Sequence, residues 1–416
     1  MKKYDVIIVG AGASGLLAAG RAAERGAKVL VLEKMRTPGR KLLITGKGRC
    51  NITNNASIAE FIKHVYPNGR FLRNAFSRFY SDDILNLLHK YGVETSLERG
   101  GRYFPTSNKA KDILTALLKW VGEKNIEILY NQNVQKILIE DKKIKGLLVD
   151  GEEVYSQNII LAIGGKSYPA TGSDGTGFNL LKGTGHSIIQ LRPALVPVET
   201  TGDIARKLQG LALKNVKVSV WVNDKKKGEA FGEMLFTHFG LSGPIILTLS
   251  RLIVTELQNK NNIILSIDLK PALDEQKLDK RLIRDLNEQG KKKISNIFRS
   301  WLPSSMIPVF INILKLDPEK EGHQINSKER KKIRNLFKRF DIKITNYRSF
   351  KEAIITSGGV STKEINPGTM ESKYISGLYF AGEMINMDAE TGGYNLQIAF
   401  STGWLAGESC LIKKEN

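Results

Sequence analysis

The sequence predicts an α/β protein: a discontinuous Rossmann-like, dinucleotide-binding domain interrupted by a β-rich insertion that itself carries helices. Three observations predict it. An apolar strand runs straight into Gly10-x-Gly12-x-x-Gly15 near the N-terminus. Two further strand-plus-glycine segments, at 158–165 and 377–407, have the form of strands that return to such a domain. Between about 193 and 355 the hydrophobic pattern changes, first to short alternating runs and then to helical periodicity. A chain of 416 residues is too long for one compact core, so several domains are expected.

The N-terminal unit comes first. YDVIIVGAGASGLLAAGRAAERGAKVLVLEK reads as a buried strand, a glycine turn, a helix and a second strand that ends at Glu33. In that turn Gly10 permits the tight reversal, Gly12 lets a pyrophosphate approach the backbone, and Gly15 lets helix and strand pack closely. The helix N-terminus offers amides and a positive dipole end to phosphate, with Ala13 and Ser14 in its first turn. Glu33 is placed for the ribose hydroxyls of an adenosine, and an acid there disfavours a 2′-phosphate. FAD or NAD therefore fits better than NADP.

The two later segments favour FAD. NIILAIGG, residues 158–165, brings an apolar strand into Gly164-Gly165. GLYFAGEMINMDAETGGYNLQIAFSTGWLAG, residues 377–407, gives a strand, then Gly382-Glu383, a glycine loop and a helix. In flavoproteins of this architecture that acid holds a ribityl hydroxyl. The amides from Gly392 and Gly393 through Tyr394 and Asn395 then stand at a helix N-terminus, suited to negative charge on a reduced flavin.

The stretch GRKLLITGKGRCNITN, residues 39–54, packs four cations around three glycines and ends near Cys50. It is not a Walker A loop, because Lys47 is followed by Gly48 rather than Ser or Thr. It follows the second strand by only a few residues, and resemblance to related flavoproteins then implies that Lys41, Gly46, Arg49, Cys50 and Asn51 lie along the pyrophosphate and the flavin edge. Cys50 has general-acid chemistry if its cationic neighbours set its pKa, and otherwise reads as a small packed residue. With Lys34, Val134 and Ala162, these groups complete the expected cofactor contacts.

Composition narrows the rest. The apolar fraction of 41% with 16 Phe is that of a globular protein, and two cysteines cannot build a disulfide framework or a zinc site. No run is long and apolar enough to span a bilayer, and a cytoplasmic protein is expected. The formal net charge is +21. Residues 34–111 carry 15 Lys/Arg against 5 Asp/Glu, and residues 270–348 carry 20 against 10. Such a field suits anionic partners, RNA among them, or serves solubility alone. The helix KERKKIRNLFKRF, with Ile333, Leu336, Phe337 and Phe340 on one face, could lie on a membrane or a nucleic-acid backbone, or simply pack. The short segments before it, KNVKVSVWVN and NIILSIDL among them, suit a β-barrel or sandwich.

Several motifs resemble one family. Gly39-Arg40-Lys41 with TGKGRCNITN, Thr237-His238-x-Gly240-Leu241-Ser242-Gly243-Pro244, Gly358-Gly359-Val360 and Gly392-Gly393-Tyr394-Asn395 are similar to the signature of the BaiN/RdsA family of FAD-dependent oxidoreductases. The resemblance spans the chain and departs from the pattern at Asn386, where the family usually has an acid, and at Ala389, where it has glycine. It implies an FAD-binding domain at 1–192 and 356–416, a β-barrel substrate domain at 193–267 and 341–355, and a basic helical insert at 268–340. It also implies reduction of a uridine in large-subunit ribosomal RNA, with Cys50 and His238 as candidate acids. Conjugated-enone reduction or amino-ketone oxidation is the small-molecule alternative, and a non-enzymatic flavin-containing binding protein is a third. Without a second GxGxxG, NAD(P)H would visit the flavin transiently, and without CxxC disulfide reduction is excluded.

Overall fold

The structure is a computed structural model and describes residues 3–411. The chain forms two units, one running to Pro193 and resuming at Phe350, the other Ala194–Ser349.

The first unit is built on a five-stranded parallel sheet. Its spatial order is Leu378–Phe380, Ile159–Leu161, Val6–Val9, Val29–Leu32 and Ile126–Leu129. All but the last strand are buried on both faces, as parallel strands covered by helices require. The first helix, Ala13–Glu24, starts at Gly12, and the last helix, Tyr394–Ser409, lies across it. Glycine permits that crossing. A Cβ at Gly403 would stand 2.2 Å from Ser14 O, and one at Gly407 would stand 2.3 Å from Ala18 O. The last helix therefore rests on the backbone of the first, which fixes where its N-terminus points.

The second unit is a closed six-stranded antiparallel barrel. Its strands run in the order Val198–Thr200, Gly240–Ser242, Lys225–Phe236, Ala212–Val222, Ile263–Asp268 and Phe340–Tyr347. Val216, Val218, Val220 and Val222 alternate into its interior. The helices Glu275–Glu288, Met306–Leu314 and Ser327–Lys338 share one apolar core with the barrel. The Rossmann-type sheet and the barrel are those the sequence predicts.

Two elements differ from the sequence reading. The short segments of 193–267 suit a β-barrel, yet that span also holds a helix, Pro244–Gln258, started by Gly243 and by a proline at its first position. Phe340 was placed on the face of the basic helix, but that helix ends at Lys338. Phe340, Ile342 and Ile344 alternate with polar residues, so a period of two wins and they enter the barrel as a strand. In the helix itself Ile333 and Phe337 are buried. Arg330 and Arg334 pair with Asp279, and Lys338 pairs with Asp268 at 2.7 Å. Much of its basic face is therefore used within the unit, while Lys328, Lys331 and Lys332 are exposed. Among the described residues no helix is long and apolar enough to cross a membrane.

Candidate active site

A cleft of about 500 Å³ opens in the first unit where the parallel strands end. In open α/β sheets ligands bind at that edge, outside the carboxyl ends of the strands. At one end stands the glycine turn. Gly10 has φ +104°, and a Cβ there would meet Ala162 O at 2.5 Å. Gly15 is a packing residue, since its Cβ would fall 1.9 Å from Gly10 O. Gly12 is the opposite case: a Cβ there meets nothing within 4 Å, so this position faces open space at the helix N-terminus. Glu33 closes this end. Its carboxylate accepts from Ala11 N at 2.7 Å and from Met35 N at 2.8 Å, which holds it at the turn. Open room at a helix N-terminus beside a fixed carboxylate fits the pyrophosphate and ribose of an adenine dinucleotide.

The other end is built around Glu383. Its carboxylate accepts from Ser167 Oγ at 2.7 Å, from Thr356 N at 2.9 Å and from the Lys41 ammonium. Thr356 Oγ1 in turn accepts from Lys166 N and Ser167 N, which fixes the turn after Gly164 and Gly165. A Cβ at Gly165 would stand 2.4 Å from that hydroxyl. Lys34 pairs with Asp174 at 2.6 Å across the cleft mouth. Asp174 belongs to the segment 171–180, which lines the cleft and which sequence reasoning missed. Its signal is the run GSDGTG, residues 172–177, shortly after the strand that ends in Gly164-Gly165.

Gly10, Gly12, Ala13, Ser14, Glu33, Lys34, Lys41, Val134, Ala162, Gly164, Gly165, Glu383 and Asn395 all line this cleft. Gly46, Arg49, Cys50, Asn51, Gly382, Gly392, Gly393 and Tyr394 do not. Gly382 lies behind it, its amide donating to Thr402 Oγ1 at 2.9 Å.

The stretch 46–54 makes most of its contacts with neighbouring parts of the same unit. Gly46 and Lys47 take left-handed backbone, and Arg49 turns aside to pair with Glu98, to donate to Asn108 and to lie 4.1 Å over Phe104. Cys50 is fully buried. Burial pushes its thiol up to about 12 against the opposing hydrogen bond of Thr45. The Asn51 amide, oriented so that both neighbours are satisfied, accepts from Gly393 N at 2.9 Å and donates to Thr53 O at 3.3 Å. Asn54 Nδ2 donates to Gly392 O at 3.0 Å. Thr53 Oγ1 donates to Gln397 at 2.6 Å, Gln397 donates to Ser401, and Ser401 donates to Phe79 O. This strip clamps the double-glycine loop and the first turns of the last helix. Since Gly393 N is used in that clamp, the amides at the helix start lie with Tyr394 and Asn395. The Asn395 side chain is likewise engaged, gripping both Ala389 N and Ala389 O.

His238 belongs to the second unit. It is exposed on the turn between the strands ending at Phe236 and beginning at Gly240, edge-on to Phe239 at 4.9 Å.

A parallel sheet ending in this cleft, with an acid at each end, suits a dinucleotide cofactor, and the family to which the chain belongs is one of FAD-dependent oxidoreductases. The model of the HI0933-like protein Rossmann domain matches residues 4–409, and the chain belongs to that family, as the BaiN/RdsA motifs indicated. The 3-dehydro-bile acid delta(4,6)-reductase of Clostridium scindens is 30% identical over 406 residues, covering 97% of this chain and 98% of its own. The ribosomal RNA dihydrouridine synthase of Escherichia coli is 28% identical over 417 residues, covering 100% of both chains. Among solved structures, the Mycobacterium smegmatis Sdh1 complex in the apo form has a TM-score of 0.50 at 17% identity. That match covers 98% of this chain and 68% of the other, and is a likeness of fold.

Proposed function

We propose that the protein uses NAD(P)H, through FAD, to reduce a carbon–carbon double bond conjugated to a carbonyl, and that its substrate is a uridine of large-subunit ribosomal RNA. The two full-length relatives support the reaction. A 3-dehydro steroid with double bonds at 4 and 6 and a uracil with its 5,6-double bond next to the 4-carbonyl are chemically alike: in each, a carbon–carbon double bond conjugated to a carbonyl can take hydride at its end remote from the carbonyl and a proton at a carbon nearer to it. The observation that carries the RNA reading is charge. Residues 34–111 hold 15 Lys/Arg against 5 Asp/Glu, a field suited to a phosphate backbone. A uridine within structured RNA must be flipped from its stack to be reduced.

In this reading Glu33 takes the adenosine ribose, the turn from Gly12 to Ser14 takes the pyrophosphate, and Glu383 with Lys41 takes the ribityl side. Bound there, FAD supplies the hydride chemistry. The chain's own residues orient it, exclude water and deliver the proton. Cys50 is poorly suited to that last task, because a thiol held near 12 gives up its proton reluctantly at neutral pH. His238, exposed on its turn, stays a candidate.

The small-molecule reading is supported by the slightly higher identity to the bile acid reductase. One experiment separates the two. The FAD-loaded protein is incubated with NADPH or NADH and unmodified large-subunit rRNA transcript, and nucleosides are read by mass spectrometry. Dihydrouridine at one position, with activity falling steeply as salt rises, is expected. No dihydrouridine, with a conjugated enone reduced in parallel, assigns the protein to small molecules instead.

A further inference from the structure

The basic helix Ser327–Lys338 sorts its cations by face. Between Ser327 and Arg339 stand seven Lys/Arg and a single acid, Glu329. Four of the seven are engaged inside the unit. Arg330 lies 3.3 Å from Asp279, Arg334 lies 3.4 Å from Glu275, and Lys338 pairs with Asp268 while donating to Leu273 O at 2.6 Å. Arg339 pairs with Asp341 at 2.9 Å and lies over the Trp221 ring. The acid is engaged too, since Glu329 accepts from Lys320 at 2.7 Å and from Asn326 N at 3.0 Å. The remainder is Lys328, Lys331 and Lys332. All three are exposed, and among the described residues none of their ammonium groups has a hydrogen-bonded or ion-paired partner. At 3.6 residues per turn they fall with Asn335 and Arg339, also exposed, within about 100° of the helix surface, a stripe about 16 Å long.

We propose that this stripe is a docking surface for the phosphate backbone of RNA, with Lys328, Lys331 and Lys332 each meeting a phosphate. The proposal rests on the RNA reading above and extends it to a named face of the second unit. Charge complementarity carries it: three cations without a counter-charge, on a face with no acid of its own, match a polyanion. Rigidity supports it. A capping box at Asn326 and Glu329 fixes the start of the helix, and the pairs of Arg330, Arg334 and Lys338 tie its flank and its end to the unit. The three lysines therefore project from a backbone that is already set, and little ordering is needed on docking.

A lipid surface fits this helix poorly. An amphipathic helix that lies on a membrane buries its apolar face at the headgroup and acyl boundary. Here that face is already taken, with Ile333 at 0% and Phe337 at 1% exposure in the core shared with the barrel. The helix offers charge to its surroundings and no apolar area, which suits a phosphate backbone.

The test measures binding of unmodified large-subunit rRNA transcript to the full FAD-loaded protein across a range of salt. One variant changes Lys328, Lys331 and Lys332 to Ala together. A matched variant changes Lys136, Lys142 and Lys143, exposed lysines of the first unit, to Ala. The stripe variant should keep its melting temperature and flavin content yet bind the transcript roughly 10- to 100-fold more weakly. Its plot of log affinity against log salt should be shallower by about 2 to 3, close to one per lost phosphate contact. The matched variant should stay within about threefold of the parent with the parent's slope. Arginine at all three stripe positions should restore binding, because charge is what the phosphates meet. Stripe and matched variants that weaken binding equally overturn the proposal, as does a stripe variant with the parent's affinity and slope. Vesicles of phosphatidylserine and phosphatidylcholine that lose the stripe variant while RNA keeps it would assign the face to lipid and overturn it too. A parent that forms dihydrouridine equally well with or without the three lysines sinks this surface alone. A parent that neither binds nor reduces the transcript sinks the RNA reading and this surface with it.

Discussion

The two ends of the cofactor cleft are built in opposite ways. At one end, the adenosine end in the proposed reading, one stretch of about thirty residues supplies strand, turn, helix and acid, and the parts meet because they are neighbours in sequence. At the other end, Lys41 meets Glu383 and Ser167, Thr53 meets Gln397, and Asn54 meets Gly392 across separations of 126 to 344 residues. A local site tolerates change elsewhere in the fold, because its backbone is self-determined. A non-local site depends on every contact that holds the last helix against the first, so its failures should be correlated.

The largest effect expected from this contrast is at Gly403. Valine there forces a side chain onto Ser14 O, a backbone atom that cannot yield, so overpacking of about 3 kcal/mol or more is expected. Thermal unfolding and loss of bound FAD should appear together; a variant with normal melting and normal flavin content would break the comparison. Glu33→Ala should act on the cofactor and on the local fold together, because it also strips the acceptor from Ala11 N and Met35 N. Loss of charge-assisted hydrogen bonds worth about 1.5–3 kcal/mol should weaken FAD roughly 10- to 100-fold, as flavin fluorescence can measure, and the orphaned amides should lower the melting temperature as well. Thr53→Val should act on the fold first. It leaves the buried Gln397 amide oxygen unpartnered, which costs about 1–3 kcal/mol of stability before any effect on cofactor affinity.

Smaller still is Asp174→Asn. Burial opposes ionisation of Asp174, but Lys34 and Thr176 outweigh it and hold the carboxyl below its ordinary range. The contribution of a depressed carboxylate is present above its unfolded value of about 4 and is lost as pH falls through the lower folded value. For a pair this exposed it should stay below about 1 kcal/mol, visible only as a slightly faster FAD release that vanishes in acid. Cys50→Ala should change turnover least of all. Its buried thiol stays protonated at working pH, so the pH–rate profile between about pH 6 and 9 should be that of the parent.

The same contrast explains what the sequence could show. The adenosine end was legible because Gly10, Gly12, Gly15 and Glu33 each answer to a local geometric demand. The barrel was legible as alternation, and the helix Pro244–Gln258 was not, because PIILTLSRLIVTELQ is rich in β-branched residues and its only start signal is the Gly-Pro pair. In the stretch 49–54 the residues stand out in the sequence, but their contacts do not. Charge and a thiol suggested chemistry, whereas Asn51, Thr53 and Asn54 spend their hydrogen bonds on a loop more than 330 residues away. No spacing rule reveals such pairs.

The measurement that bears most directly on the central claim is an anaerobic one. The FAD-loaded protein is reduced with NADPH or NADH, oxygen is kept out, and unmodified large-subunit rRNA transcript is added while flavin absorbance is followed. Reoxidation matched by one equivalent of dihydrouridine per flavin is the predicted result. A flavin that stays reduced through additions of both transcript and conjugated enone, and reoxidises only when air enters, would contradict it.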